Sequence, residues 1–250
     1  MTSDLYTNLK GKTALVTGAG LGIGAALSLA LGELGANVIC ASRTQADIDK
    51  IAQSIRDDGG TALAVATDVT SAEQTAALAK RIDEEFGGLD IAFLNAGGNW
   101  HRATIEDSDI DEWKAAVDLN LYSVLYGIRA VAPLMRKKGG GRIILTGSAM
   151  AHYPAEKNSS YCTAKAGARM LANIAAQELM ADNITVNEFI PGPTRTLQAL
   201  NGITKENTES PFNNPAEWVK EPEEVVDLML MMAAYPGMGP TRQIFSLARR

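Results

Sequence analysis

The sequence is poor in cysteine: Cys40 and Cys162 are the only two in 250 residues. Two make no disulfide framework, so two free thiols in a reducing cytoplasm are expected. It has no run of Lys and Arg, and its net charge is -6, which argues against a duplex nucleic-acid binder with its basic surface. It lacks the roughly 18 consecutive apolar residues that a membrane span needs. The nearest stretch, Val225 to Ala234, is too short and reads as a buried or oligomer-facing helix. Met1-Thr2-Ser3-Asp4 opens polar, so no secretory leader is visible. The two histidines, His101 and His152, show no ligand spacing, and no metal is expected. Neither a linker, a low-complexity tract nor a repeat longer than a strand-helix period divides the chain, so residues 1–250 are read as one domain.

What is present is an ordinary globular composition, 46% hydrophobic and 21% charged. Thr13 to Thr17 is a short apolar run closed by glycines, and helical periodicity continues through Leu34. Asn37 to Ala41 then supplies a second strand. The alternation repeats: helix Ala46 to Asp58, strand Ala62 to Ala66, helix Ser71 to Phe86, strand Ile91 to Asn95, helix Asp109 to Met135. Strand Gly141 to Thr146, the helix carrying Tyr161 and strand Ile184 to Ile190 follow, then helix Glu223 to Ala234 and a last strand, Gln243 to Leu247. Continuous apolar strands imply a sheet covered on both faces, and strand-helix alternation implies parallel order. The expected fold is α/β, a doubly wound parallel sheet (a Rossmann fold) of about seven strands, with its ligand site at the strands' carboxyl ends. One irregular stretch, Pro191 to Glu221, is long for a compact domain; it follows a strand's carboxyl end, so its part from 193 to 221 is expected to be a substrate lid.

Strand, glycine-rich turn and helix make a phosphate site, because bare backbone approaches the anion and the helix N-terminus points N–H groups at it. Here Gly18, Gly22 and Gly24 are spaced G-x-x-x-G-x-G, with Ile23 between the last two. The end of the second strand, Ala41-Ser42-Arg43, carries a guanidinium and no carboxylate. Arg43 therefore favours NADP, with its 2′-phosphate, over NAD; a turn cap or adenine stack is the other reading of Arg43.

Tyr161 and Lys165, four apart, project from one face of a helix. A nearby ammonium favours phenolate, so the pair is a candidate proton-transfer device. Tyr161-x-x-x-Lys165, Ser148 thirteen positions before it, Thr17-Gly18-x-x-x-Gly22-Ile23-Gly24 and Asn95-Ala96-Gly97 stand in one order. In this the chain resembles the short-chain dehydrogenase/reductase family over essentially its whole length.

The resemblance implies roles. Tyr161 would be the general acid/base for the substrate oxygen, Lys165 would lower its pKa and hold the nicotinamide ribose, and Ser148 would steady the carbonyl. Asn120 would hold a water linking Lys165 to solvent. Asp68 with Val69 would bind the adenine, Asn95, Ala96 and Gly97 the neighbouring ribose region, and Pro191, Gly192, Thr194 and Thr196 the nicotinamide end. It also implies a homotetramer or homodimer, packed through the helices from Asp109 to Met135 and around Tyr161. Two departures stand out: Leu21 replaces a basic residue common in the turn of NADP-using relatives, and the tail Phe245 to Arg250 lacks the usual V-D-G-G.

Asn99, Trp100, His101, His152 and Tyr153 follow strand ends and are candidate pocket residues. Indole, imidazole and phenol suit a polyol, a sugar or a cyclic ketone; a 3-oxoacyl thioester is the alternative substrate class. A Ser148/His152 hydrolase is disfavoured by the missing G-x-S-x-G elbow. A non-catalytic cofactor-binding scaffold is disfavoured by the joint presence of Asn120, Ser148, Tyr161 and Lys165.

Overall fold

The computed structural model describes residues 6–196 and 218–248. Seven strands, β1 (Thr13–Thr17), β2 (Asn37–Ser42), β3 (Thr61–Ala66), β4 (Ile91–Leu94), β5 (Gly141–Thr146), β6 (Ile184–Ile190) and β7 (Ile244–Ser246), form one sheet in the order β3-β2-β1-β4-β5-β6-β7. Every pairing is parallel. All residues of β1, β4 and β6 are buried, as strands covered on both faces require. Val16 pairs with Cys40 on one side and Phe93 on the other. The chain therefore switches sides at β1, and the loops leaving β1 and β4 open a crevice at their carboxyl ends.

Helices α1 (Gly22–Glu33), α2 (Gln45–Asp57) and α7 (Glu223–Ala234) cover one face. Leu27, Leu31, Ile48, Val225 and Met229 form one core there with Val16 and Phe93. Helices α3 (Ala72–Phe86), α5 (Ser123–Lys137) and α6 (Ser159–Glu178) cover the other, where Leu78, Ile82, Val131, Ala172 and Ala176 pack on Leu15, Leu145 and Val186. Phe93 and Phe189 are wholly buried, each worth about 2 kcal/mol of apolar transfer. Helix α3 starts at Ser71, whose side chain accepts from the Gln74 amide, and stops at Gly87, with φ 66°.

Two expectations change and a third is narrowed. The helix expected from Asp109 to Met135 is α4 (Ile110–Val117) and α5 joined by a π-helical turn over Asp118–Tyr122; such turns cannot be read from apolar periodicity. Of the two readings of the stretch Val225 to Ala234, the buried one holds for Val225, Val226, Met229 and Leu230, which pack with α1 in one core. Strand β3, read as covered, is an edge strand with exposed ends. The middle of the expected lid, 197–217, lies outside the described residues. Its two ends meet: Thr194 and Lys220 form a parallel bridge, and Arg195 N–H donates to the Lys220 carbonyl at 2.8 Å. Among the described residues no helix is long and apolar enough to cross a membrane.

Candidate active site

Thr17 ends β1 and the chain turns at once into glycine. Gly18 and Gly22 have φ of 68° and 55°, values that strain any residue with a side chain. A Cβ on Gly24 would lie 2.1 Å from the Gly18 carbonyl oxygen. The first turn of α1 thus packs directly on the glycine turn, with no side chain of its own between the helix N-terminus and the crevice. That is the cradle a pyrophosphate needs, since the first N–H groups of α1 have no intrahelical partner. Ile23, partly buried, packs against the core beneath. Thr196 closes the turn from the far side: a Cβ on Gly22 would lie 2.9 Å from its Cγ2.

Thr17 also braces the opposite wall. Its Oγ1 accepts from the amides of Asn95 and Ala96 at 2.9 and 3.0 Å, and the Asn95 amide group donates to the Thr17 carbonyl at 3.1 Å. Thr146 donates to Asn95 Oδ1 at 3.1 Å. Thr17 stood at the head of the glycine motif without a role of its own, and Thr146 was not singled out from the sequence; hydroxyls at the carboxyl ends of apolar strands were the available signal. Asp68 spends Oδ1 on its own turn, accepting from Thr70 N–H and Oγ1 at 2.9 and 2.8 Å. Val69 beside it is buried. Arg43 is exposed at the end of β2. A carboxylate also flanks the turn: a Cβ on Gly20 would lie 2.9 Å from Asp47 Cβ. Asp47 sits in the first turn of α2, five residues past the strand end, which is why it escaped a search at Ala41 to Arg43.

The π turn places Asn120 fully buried, its amide group donating to the carbonyls of Gly98 and Ala116 at 2.8 and 2.9 Å. Its Oδ1 and Lys165 Nζ converge over Gly97, at 3.0 and 3.1 Å from where a Cβ there would be. Lys165 is buried and donates to the Thr146 carbonyl at 2.8 Å; burial pushes its ammonium down to about 8, while the charge of Glu188 raises it. Ser148 caps a short 3-10 turn, Ala149–Ala151, its Oγ accepting from the Met150 amide, and its hydroxyl lies close enough to Tyr161 to act on the phenol. The Tyr161 phenol moves up, not down: burial raises it and Ser148 only partly offsets this. Lys165 Nζ lies 5.8 Å from the Tyr161 ring centroid, yet the depression expected from it does not prevail. The reason is that the site is drier than helical spacing alone conveys.

The remaining candidates divide. Pro191 and Gly192 leave β6 toward the turn, Gly192 with φ 70° and the buried Lys220 ammonium behind it. Thr194 donates to the Gly192 carbonyl at 3.2 Å. Asn99 donates to Asn158 Oδ1 at 2.8 Å, tying the loop after β4 to the start of α6. Trp100 and Tyr153 are exposed, and the Trp100 indole donates to Glu112 at 2.6 Å, so both sit at the rim. His101 Nε2 is buried without a hydrogen bond. His152 Nε2 lies 3.6 Å from Glu188 Oε2. Both cysteines are free, and burial pushes the Cys40 thiol up to about 11. No cluster of His, Cys, Asp and Glu fit for a metal occurs among the described residues.

A glycine cradle at the switch point, a buried Asn120 and Lys165, and Ser148 after β5 beside Tyr161 on α6 define a dinucleotide-fold oxidoreductase. The sequence profile of the short chain dehydrogenases matches residues 12–207, and the chain belongs to the short-chain dehydrogenase/reductase family. It is 34% identical to the 2,5-dichloro-2,5-cyclohexadiene-1,4-diol dehydrogenase LinX of Sphingobium indicum over 192 residues, covering 77% of this chain and 76% of that one. Its fold is similar to that of a 7 alpha-hydroxysteroid dehydrogenase complexed with NADH and 7-oxo glycochenodeoxycholic acid, with TM-score 0.91, 29% identity and coverage of 100% and 97%. The L-sorbose reductase of Gluconobacter frateurii, complexed with NADPH and L-sorbose, gives 0.87, 26%, and 96% and 95%.

Proposed function

We propose that this protein interconverts a carbonyl and a secondary alcohol on a small polyol, sugar or cyclic ketone, using NADP(H), with Tyr161 as general acid/base. The observation that carries the reading is the Tyr161 phenol beside Ser148, one helical turn from a buried Lys165 whose Nζ meets Asn120 Oδ1 over Gly97. The cradle of Gly18, Gly22, Ile23 and Gly24 holds the pyrophosphate; Asp68, Val69, Asn95, Ala96 and Gly97 line the adenosine side, and Pro191, Gly192, Thr194 and Thr196 the nicotinamide end. The dinucleotide, when bound, supplies or accepts the hydride.

The chain's own residues handle the proton. Ser148 Oγ donates to the substrate oxygen and fixes it beside the phenol. Burial keeps Tyr161 protonated at neutral pH, which suits a proton donor to an oxygen that gains charge during reduction. Lys165, charged below about pH 8, steadies the phenolate left behind. Asn120 Oδ1, converging with Lys165 over Gly97, offers a seat for the water through which the proton is replaced. Trp100, His101 and Tyr153 at the rim recognise the rest of the substrate. The dehydrogenase and reductase relatives, which act on a cyclic diol, a steroid and a sugar, support a compact ring or polyol. A homotetramer or homodimer is supported by Met170 and Ile174, exposed on α6, and a cytoplasmic site by the free thiols.

Assay of ketones, sugars, cyclic alcohols and acyl thioesters with each dinucleotide, followed by nicotinamide absorbance, is expected to give turnover on a cyclic or polyol compound. Turnover confined to 3-oxoacyl thioesters would replace the substrate class. Dinucleotide binding without turnover on any compound would make the protein a scaffold.

NAD(H) is the second reading, favoured by Asp47 beside Gly20, where a carboxylate would accept from a ribose hydroxyl and repel a 2′-phosphate. Arg43→Asp is expected to shift the NADP/NAD ratio of kcat/KM toward NAD by at least about tenfold. An unchanged ratio would mean that the 2′-position is read elsewhere, Asp47 first.

A further inference from the structure

One buried cluster has no part in this scheme. Glu188 lies in β6 paired with Leu145 of β5, and is 4% exposed. An acid there is unusual company for the apolar strand Ile184-Thr185-Val186-Asn187-Glu188-Phe189-Ile190. Its carboxylate occupies the space that a side chain at position 147 would take: a Cβ on Gly147 would lie 2.0 Å from Glu188 Oε1. Gly147 immediately precedes Ser148, so the carboxylate sits directly behind the proposed site. From α6 the groups facing it are Lys165 and Arg169, the latter with Nε 3.7 Å from Oε2. From the segment after β5 they are His152, at 3.6 Å, and the Ser148 amide. From β7 the neighbour is backbone: Glu188 N–H donates to the Gln243 carbonyl at 2.9 Å. No side chain closes a hydrogen bond of ordinary length on either carboxylate oxygen.

A carboxylate so placed needs a reason, because an uncompensated buried charge is expelled or neutralised. Lys165 supplies one. Its ammonium is buried with the Thr146 carbonyl as hydrogen-bond partner, a single neutral oxygen where a cation in water has several. We propose that Glu188 is a positioning residue acting through Lys165: its carboxylate is the buried counter-charge that keeps the Lys165 ammonium protonated, while the Arg169 guanidinium keeps that carboxylate ionised. The proposal rests on the role given to Lys165 above. Burial pushes Glu188 up to about 7, with Arg169 and then Lys165 drawing it back, and Lys165 down to about 8. Above about pH 7 the carboxylate is ionised, and there it opposes the loss of the Lys165 proton. Below that range Lys165 is charged without help. Whatever the ammonium contributes to dinucleotide binding is present below its pKa and lost as pH rises through it, and removal of Glu188 moves that loss to lower pH.

The test is the affinity of the full chain for NADPH and for NADH, by nicotinamide fluorescence, between about pH 6 and about pH 9.5, in wild type, E188Q, E188D and K165M. The expected result is an alkaline loss of affinity displaced by about one pH unit toward acid in E188Q, unchanged affinity near pH 6, and the wild-type profile regained in E188D. E188A removes the same charge by truncation and should show the same displacement, which keeps the question answerable if E188Q accumulates poorly. A wild-type profile in E188Q or E188A overturns the proposal, as does a loss equal at every pH, which is the signature of a merely structural role. K165M separates the two levels. If K165M binds like wild type at every pH, the reading of Lys165 fails; if K165M loses the alkaline limb and E188Q retains it, the role of Glu188 alone fails.

Discussion

Tyr161→Phe is expected to lower kcat by about three orders of magnitude while leaving dinucleotide affinity within a few-fold. A positioned general acid is worth about 10²–10⁴ in rate, and the phenylalanine ring keeps the packing of the aromatic ring while losing the hydroxyl that carries the proton. The fold should be undisturbed, since Tyr161 is only partly buried and its hydroxyl lies beside Ser148 rather than in the core. Single-turnover rates in both directions check this. Turnover within tenfold of wild type would remove Tyr161 from the mechanism and leave Ser148 and Lys165 to be reconsidered with it.

Gly24→Ala should damage stability and dinucleotide binding together. Its Cβ would meet the Gly18 carbonyl oxygen at 2.1 Å and the Asn95 amide nitrogen at 2.9 Å. The first of these is main chain and cannot swing away. Overpacking usually costs about 1–3 kcal/mol, and a clash this close on backbone belongs at the upper end, about 3 kcal/mol. For a chain of 250 residues that lowers Tm by roughly 6–12 °C. Because relief requires the turn and α1 to separate, dinucleotide affinity should fall at least a hundredfold, about 2.7 kcal/mol. Calorimetry and fluorescence titration measure the two effects independently. Wild-type Tm and affinity together would show that the cradle is looser than its geometry.

Much of this was legible in the sequence for identifiable reasons. Unbroken apolar strands such as Thr13 to Thr17 and Ile184 to Ile190 encode a doubly covered parallel sheet, and the fold has it. Glycine at 18, 22 and 24 encodes a turn that tolerates no Cβ, and the contacts behind Gly24 bear that out. The departures share a cause, namely that they depend on where segments meet. The π turn at Asn120 is a shift of backbone bonding which side-chain periodicity does not record. The apolar side of α7 was visible, but its destination against α1 was not. Helical spacing puts Tyr161 and Lys165 on one face, yet it carries no information on dryness, and dryness governs the direction in which the phenol moves. Asp47 and Glu188 were passed over because one lies past a strand end and the other looks like a lone acid in an apolar run. Only the folded chain sets the first against Gly20 and the second against Gly147.

The brace at Thr17 has a consequence for how the protein comes into being. Its hydroxyl and carbonyl receive Asn95 and Ala96 from 78 and 79 positions further along the chain, so the crevice belongs to no contiguous piece of sequence. As the polypeptide leaves the ribosome, the first strand, glycine turn and helix emerge early without the wall that completes them. Closing so long a loop is an entropic cost met before any contact rewards it. The nascent N-terminal third therefore offers a half-built receptor, and nucleotide capture must wait until β4 has docked beside β1.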